Sequence, residues 1–101
     1  MELFLRSVSA LNDESRVKFL KFFLLYGKSC VCELEESFSM LQPRISRHLK
    51  ILKDAGFLVS SQEGVRVYYE IKPSSRLQQK LLEEINLLEL DIPHKIGACT
   101  I

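Results

Sequence analysis

The chain has 101 residues, 47% of them apolar, and fourteen basic against thirteen acidic side chains leave a net charge of +1. That length holds one hydrophobic core and not two, and the composition excludes a disordered tail. No apolar run approaches the roughly 18 residues of a membrane span, and the near-neutral total means that any attraction to nucleic acid must be local.

Residues 3–11 carry Leu3, Leu5, Val8 and Leu11 at helical spacing and predict a short first helix. Asn12 and Asp13 offer a side-chain N-cap, with Glu14 in the first turn, for a second helix that runs through 16–25 and ends near Gly27. This helix is apolar nearly all round and is expected to be the buried centre. A short helix follows over 30–38, with Val31, Leu34 and Phe38 on one face, and Ser39-Met40 forms a turn. The next helix, 41–54, has Pro43 in its first turn and stops at Ala55-Gly56, where glycine suits a left-handed C-cap. Beyond Phe57 the period shortens to two: 58–61 and 66–71 read as strands joined by 62–65, a turn containing Gly64. Pro73-Ser74-Ser75 opens a last helix, 76–90, whose Leu77, Leu81, Leu82, Ile85 and Leu88 form a seam in want of a partner surface. The expected fold is mainly α with a β-hairpin wing, a winged helix-turn-helix over 1–92, followed by a tail over 93–101 that carries Cys99.

On a helical wheel at about 100° per residue, Leu41, Ile45, His48, Leu49 and Leu52 share the core side of 41–54. Pro43, Arg47, Lys50 and Asp54 lie opposite, with Gln42, Arg44, Ser46 and Lys53 on the shoulders. A basic helix placed after a helix and a tight turn suits the major groove. There Gln42 matches adenine edges, Arg44 and Arg47 guanine, and Ser46 either a base or phosphate. Lys50 and Lys53, nearer the helix end, suit phosphate, and Arg66 beside Gly64 lays a cation against the neighbouring backbone or minor groove. The competing account is a solvated surface helix, which leaves the order of helix, turn, basic helix and hairpin unexplained. His48 reads as a structural histidine.

Three cysteines, two of them one residue apart, make a poor secreted disulfide framework and suit a reducing cytoplasm. The start of the chain, with an acid at Glu2, lacks the pattern of a signal peptide. Cys30 and Cys32 would point about 200° apart in a regular helix, but a frayed first turn beside Gly27 and Ser29 can bring both sulfurs together. A helix N-terminus favours thiolate, and paired thiolates select soft ions. Trivalent arsenic or antimony wants three sulfurs, for which Cys99 is the remaining candidate, from its own or a partner subunit. Zinc wants four ligands. The bland alternative for Cys30 and Cys32 is a pair of small core hydrophobes.

Pro43-Arg44-Ile45-Ser46-Arg47-His48-Leu49-Lys50-Ile51-Leu52-Lys53-Asp54-Ala55-Gly56-Phe57-Leu58 resembles the recognition helix and turn of the ArsR/SmtB family of metal-responsive repressors. Leu11-Asn12-Asp13-Glu14-Ser15-Arg16-Val17 is similar to that family's second-helix opening, and Gly64-Val65-Arg66-Val67-Tyr68-Tyr69 to its wing. Cys30-Val31-Cys32-Glu33-Leu34 resembles the Cys-Val-Cys-Asp-Leu inducer motif of its arsenic-responsive members, although Glu35 stands where some carry a further cysteine. The resemblance implies a homodimer on an inverted repeat of double-stranded operator DNA, joined through its first and last helices. It also implies release by arsenite or antimonite at Cys30 and Cys32, with Cys99 as the remaining candidate for a third sulfur and zinc or cadmium as other inducers. No cofactor is required and no membrane is involved. The family's other metal site needs Asp and His on the last helix, and 76–90 contains neither. A thiol-redox-sensing repressor uses the same cysteines. A winged-helix interaction module without DNA is a further alternative. A small thiol oxidoreductase lacks a Cys-x-x-Cys pair and a phosphate-cradling glycine loop, so an enzyme is not expected.

Overall fold

The computed structural model describes residues 1–96. Its elements are α1 Glu2–Ala10, α2 Glu14–Tyr26, β1 Ser29–Cys30, α3 Val31–Phe38, α4 Gln42–Asp54, β2 Leu58–Glu63, β3 Arg66–Ile71 and α5 Arg76–Leu87. This is a winged helix-turn-helix. Among the described residues no helix is long and apolar enough to cross a membrane.

The core is built on α2. The Asp13 side chain accepts the Arg16 N–H at 3.1 Å and starts the helix, and Gly27 ends it at φ +76°. Phe19, Leu20, Phe22 and Phe23 are then buried against Leu34 of α3, Ile45, Leu49 and Leu52 of α4, and Leu82 and Ile85 of α5. Each such side chain contributes roughly 1.5–3 kcal/mol, against about 1 kcal/mol for a cap, so burial and not capping holds α2 in place. α2 is thus the buried centre that its sequence predicts, although Leu25 near its end is 53% exposed.

Helix α4 is punctuated as the sequence suggests. Leu41 is its N-cap and Pro43 lies in the first turn. At the other end Phe57 N–H reaches the Leu52 carbonyl and Gly56 N–H the Lys53 carbonyl, both at 3.0 Å, which closes a Schellman motif. Gly56 is at φ +89°, and a Cβ there would collide with Ser74 Oγ. Leu41 is not in the core: it is 77% exposed, because an N-cap with extended backbone precedes the helical period that the wheel assumes.

The sheet has the order β1-β3-β2, all antiparallel. The hairpin is longer than its pattern implied. Glu63 pairs with Arg66, leaving a two-residue turn in which Gly64 supplies φ +65°. β1 was not expected: it pairs Ser29 with Tyr69 and Cys30 with Tyr68, so the first cysteine is stitched to the wing.

α5 stops at Leu87, not at residue 90, because Leu88 turns to extended backbone. Its seam is largely spent inside the molecule, with Ile85 only 5% exposed. The apolar stripe left open belongs to α1, where Leu3, Phe4, Leu5 and Val8 are 46–56% exposed. Behind α1 lies a buried polar node. Gln78 Nε2 donates to Ser7 Oγ at 2.8 Å and to the Ala55 carbonyl at 3.0 Å, and Ser7 Oγ reaches the same carbonyl at 3.3 Å. After α5 the chain returns to α3: Ile96 N–H donates to Ser37 Oγ at 3.0 Å.

Candidate functional site

Two groups of side chains meet at α3 and α4, a polar face and a pair of sulfurs. On the polar face Gln42, Arg44, Arg47, Lys50 and Lys53 are exposed and Ser46 is half-buried. Gln42 Nε2 donates to Ser46 Oγ at 2.9 Å, which fixes both near the helix start. Lys50 pairs with Asp54 at 3.2 Å, and Lys53 Nζ donates to Ser60 Oγ of β2 at 2.8 Å. These pairings are on the surface and worth less than about 1 kcal/mol, so a phosphate can replace them.

His48 lies half-buried on the inner flank of α4. Its Nδ1 accepts from Arg16 Nη1 at 3.2 Å, while Arg16 Nε donates to the Ala10 carbonyl at 2.7 Å. Burial holds the imidazole pKa below its ordinary 6.5. Arg16, Arg44 and Arg47 push the same way against the opposing pull of Asp13. A neutral His48 is the state this contact requires, since a guanidinium has no proton acceptor to offer.

The sulfurs sit where α3 begins. Cys30 is the N-cap, in extended backbone, and its Sγ accepts the Glu33 N–H at 3.3 Å while Glu33 Oε1 accepts the Cys30 N–H at 2.9 Å. That is a capping box with sulfur in place of oxygen. Because Cys30 stands outside the helical turns and Cys32 inside them, their side chains converge, and the two are joined in a disulfide with Cα atoms 5.3 Å apart. Cys30 is 1% exposed and Cys32 half-buried, so Cys32 is the sulfur that a solute meets first. Cys99 lies outside the described residues.

A cavity of about 280 Å³ opens beside this pair. Its wall brings Cys30 and Cys32 together with Gln42 and Ser46 of α4 and Arg66 of the wing. Arg66 thus lines the thiol cavity as well as standing near the hairpin turn. Arg44, Arg47, Lys50 and Lys53 do not line it. Among the described residues no three His, Cys, Asp or Glu side chains are grouped to hold a metal ion.

Residues 13–60 match the family model for bacterial regulatory proteins of the arsR family. The chain is also 35% identical over 77 residues to an uncharacterised HTH-type transcriptional regulator of Methanocaldococcus jannaschii, covering 75% of this chain and 86% of that one. The chain belongs to the ArsR family. It is 40% identical over 63 residues to an arsenic resistance transcriptional regulator of Pseudomonas putida, with 62% of this chain and 49% of that one covered. It spans only 49–59% of the length of this and three other curated relatives. Among solved structures it is similar to HlyU from Vibrio cholerae, with a TM-score of 0.70 and 25% identity over 83% of this chain and 88% of that one.

In this ArsR-family chain three residues around the thiols escaped the sequence reading. Glu33 receives Cys30 and also pairs with Lys95 at 3.4 Å, Lys95 donates to the Lys28 carbonyl at 3.3 Å, and Lys28 pairs with Glu63 of the wing. Cys30-x-x-Glu33 has the spacing of a capping box, which is the signal that points to Glu33. Lys28 and Lys95 carry no such signal, because their contacts span 35 and 67 residues.

Proposed function

We propose that the chain is a transcriptional repressor that holds operator DNA as a homodimer and releases it when Cys30 and Cys32 capture a trivalent metalloid such as arsenite. The observation that carries this is the cavity in which both sulfurs meet Gln42, Ser46 and Arg66. The fit is chemical: two sulfurs that reach each other across one turn can close on one soft ion, and soft donors prefer such ions. The arsenic named in the Pseudomonas relative's description agrees.

Release follows from where each cysteine is fastened. Cys30 pairs with Tyr68 of β3, and Cys32 rides on α3, which packs on α4. A chelated trivalent ion supplies a soft Lewis acid that fixes both sulfurs. Any rotation at the Cys30 backbone then passes to the wing, and any shift of Cys32 passes to the reading helix. The inducer must prefer the free protein over the DNA-bound one, and a coupling of about 1–3 kcal/mol gives roughly 5- to 150-fold loss of DNA affinity.

Operator binding is measured by fluorescence anisotropy on the gene's own upstream DNA with reduced protein. Arsenite should release the wild type, and Cys30→Ser and Cys32→Ser should each bind DNA and ignore arsenite. A double variant still released by arsenite would sink the mechanism.

The disulfide between Cys30 and Cys32 favours a second reading, in which oxidation is the signal. Peroxide in place of arsenite separates the two, and zinc and cadmium complete the series. Release by peroxide alone would replace the metalloid with an oxidant.

A further inference from the structure

We propose that the cavity beside Cys30 and Cys32 takes a small carboxylate-bearing thiol, whose sulfur is the third ligand of the metalloid held by the protein's two. This rests on the metalloid reading above and deepens it. Trivalent arsenic binds three thiolates in a pyramid. The described residues bring only two sulfurs together, and they group no third His, Cys, Asp or Glu with them to hold an ion. Glu35 lines the cavity, but a carboxylate is a hard donor and a poor rival to sulfur.

The cavity has the dimensions and the chemistry for the missing partner. Its 280 Å³ lies just below the span of drug-sized sites, roughly 300 to 1,000 Å³, and so calls for a small ligand. Val31, Val65 and Val67 offer apolar wall to the methylene that carries a thiol. Gln42 and Ser46 offer hydrogen bonds, and the Arg66 guanidinium matches a carboxylate in a two-pronged geometry that a hydroxyl or amine cannot use.

The exchange balances without an oxidant. Arsenious acid gives up three hydroxyls, three S–H protons leave with them as water, and three As–S bonds replace three As–O bonds while arsenic stays trivalent. Where the pair starts as a disulfide, two molecules of the same small thiol reduce it and leave as their own disulfide.

One consequence concerns DNA. Gln42, Ser46 and Arg66 are assigned to DNA in the reading above, so a thiol that engages them withdraws them from the operator. Sensing and reading then compete for the same side chains, in addition to any movement of α3.

The test uses full-length Cys99→Ser protein reduced with a phosphine, so that no thiol is present until one is added. Arsenic-edge X-ray absorption counts sulfurs, and anisotropy follows operator release. Arsenite alone should show two sulfurs. Adding free cysteine or glutathione should raise the count to three and lower the arsenite midpoint for release by roughly tenfold. Cysteamine, a thiol without a carboxylate, should shift the midpoint less. Val67→Phe should fill the cavity, keep the two-sulfur count with arsenite alone, and abolish the rise to three sulfurs on added thiol. Wild-type protein that reaches three sulfurs with no small thiol present overturns the proposal in favour of Cys99. So does a sulfur count and midpoint that added thiols leave unchanged. Absence of any As–S signal in reduced wild type would instead sink the metalloid reading itself.

Discussion

Cys30 shows how much one atom of a side chain can be asked to do. Its sulfur caps α3 at 3.3 Å from the Glu33 N–H, a place where serine ranks among the best residues and alanine among the worst. Under reducing conditions Cys30→Ser should therefore be as stable as wild type or more so, whereas Cys30→Ala should lose about 0.5–2 kcal/mol. Urea midpoints decide it, and a serine variant weaker than the alanine one would mean that the sulfur is held by packing and not by its cap. His48 gives a pH dependence at the same scale. Its folded pKa lies below the ordinary 6.5, so the unfolded chain binds the proton more readily. Stability is then full above about pH 6.5 and falls as the pH drops through that value toward the folded pKa. Denaturation midpoints from pH 7.5 to 5 should show this slope, and His48→Gln, which keeps an acceptor for Arg16, should flatten it. An equal slope in both proteins would assign it to the carboxylates.

At the scale of elements, α4 was the most legible, because a proline and a glycine mark its ends and its polar and apolar faces separate cleanly. Its face supports a direct test. Arg47 is exposed, so Arg47→Ala should leave the circular dichroism unchanged and weaken operator binding by about 1–3 kcal/mol. Unaltered affinity would strike Arg47 from the contacts. What the sequence did not disclose has physical reasons. β1 spans two residues, too few for any period to register, and it exists because β3 has an edge to satisfy. Leu41 obeys the wheel in spacing but lies outside the helix. Ser7 and Gln78 are polar and carry no pattern in the sequence, yet both are fully buried, since each finds its partners on other elements. The convergence of Cys30 and Cys32 was foreseeable from their position at a helix start. The cavity that joins them to the wing was not, because it is closed by Val65 and β3, far along the chain.

At the scale of the molecule, the proposed homodimer needs a surface that meets a second copy. An apolar stripe on α1 that includes Phe4, 52% exposed, remains uncovered, whereas Ile85 is already inside. Phe4→Glu should give a folded monomer by sedimentation velocity and circular dichroism, because the charge remains in water once the partner leaves. Ile85→Glu should instead unfold the chain, since it places a charge in the core. A Phe4→Glu protein that is still dimeric at low micromolar concentration would move the interface elsewhere.

The buried node of Ser7, Gln78 and the Ala55 carbonyl fastens α1 and α5 to the residue that follows the reading helix. In a dimer joined through α1, this ties the proposed reading helix of each copy directly to the interface, like the arms of one caliper. Such a caliper is sensitive to the rotational phase of its target. Half-sites that face the same side of the duplex recur every 10–10.5 base pairs, so one inserted pair turns the second half-site by roughly 35° about the DNA axis. A protein with a flexible joint would tolerate that insertion. This one should lose most of its affinity to it and regain part when Gln78→Ala loosens the arm, a pattern that band shifts on operators with graded spacers can read directly.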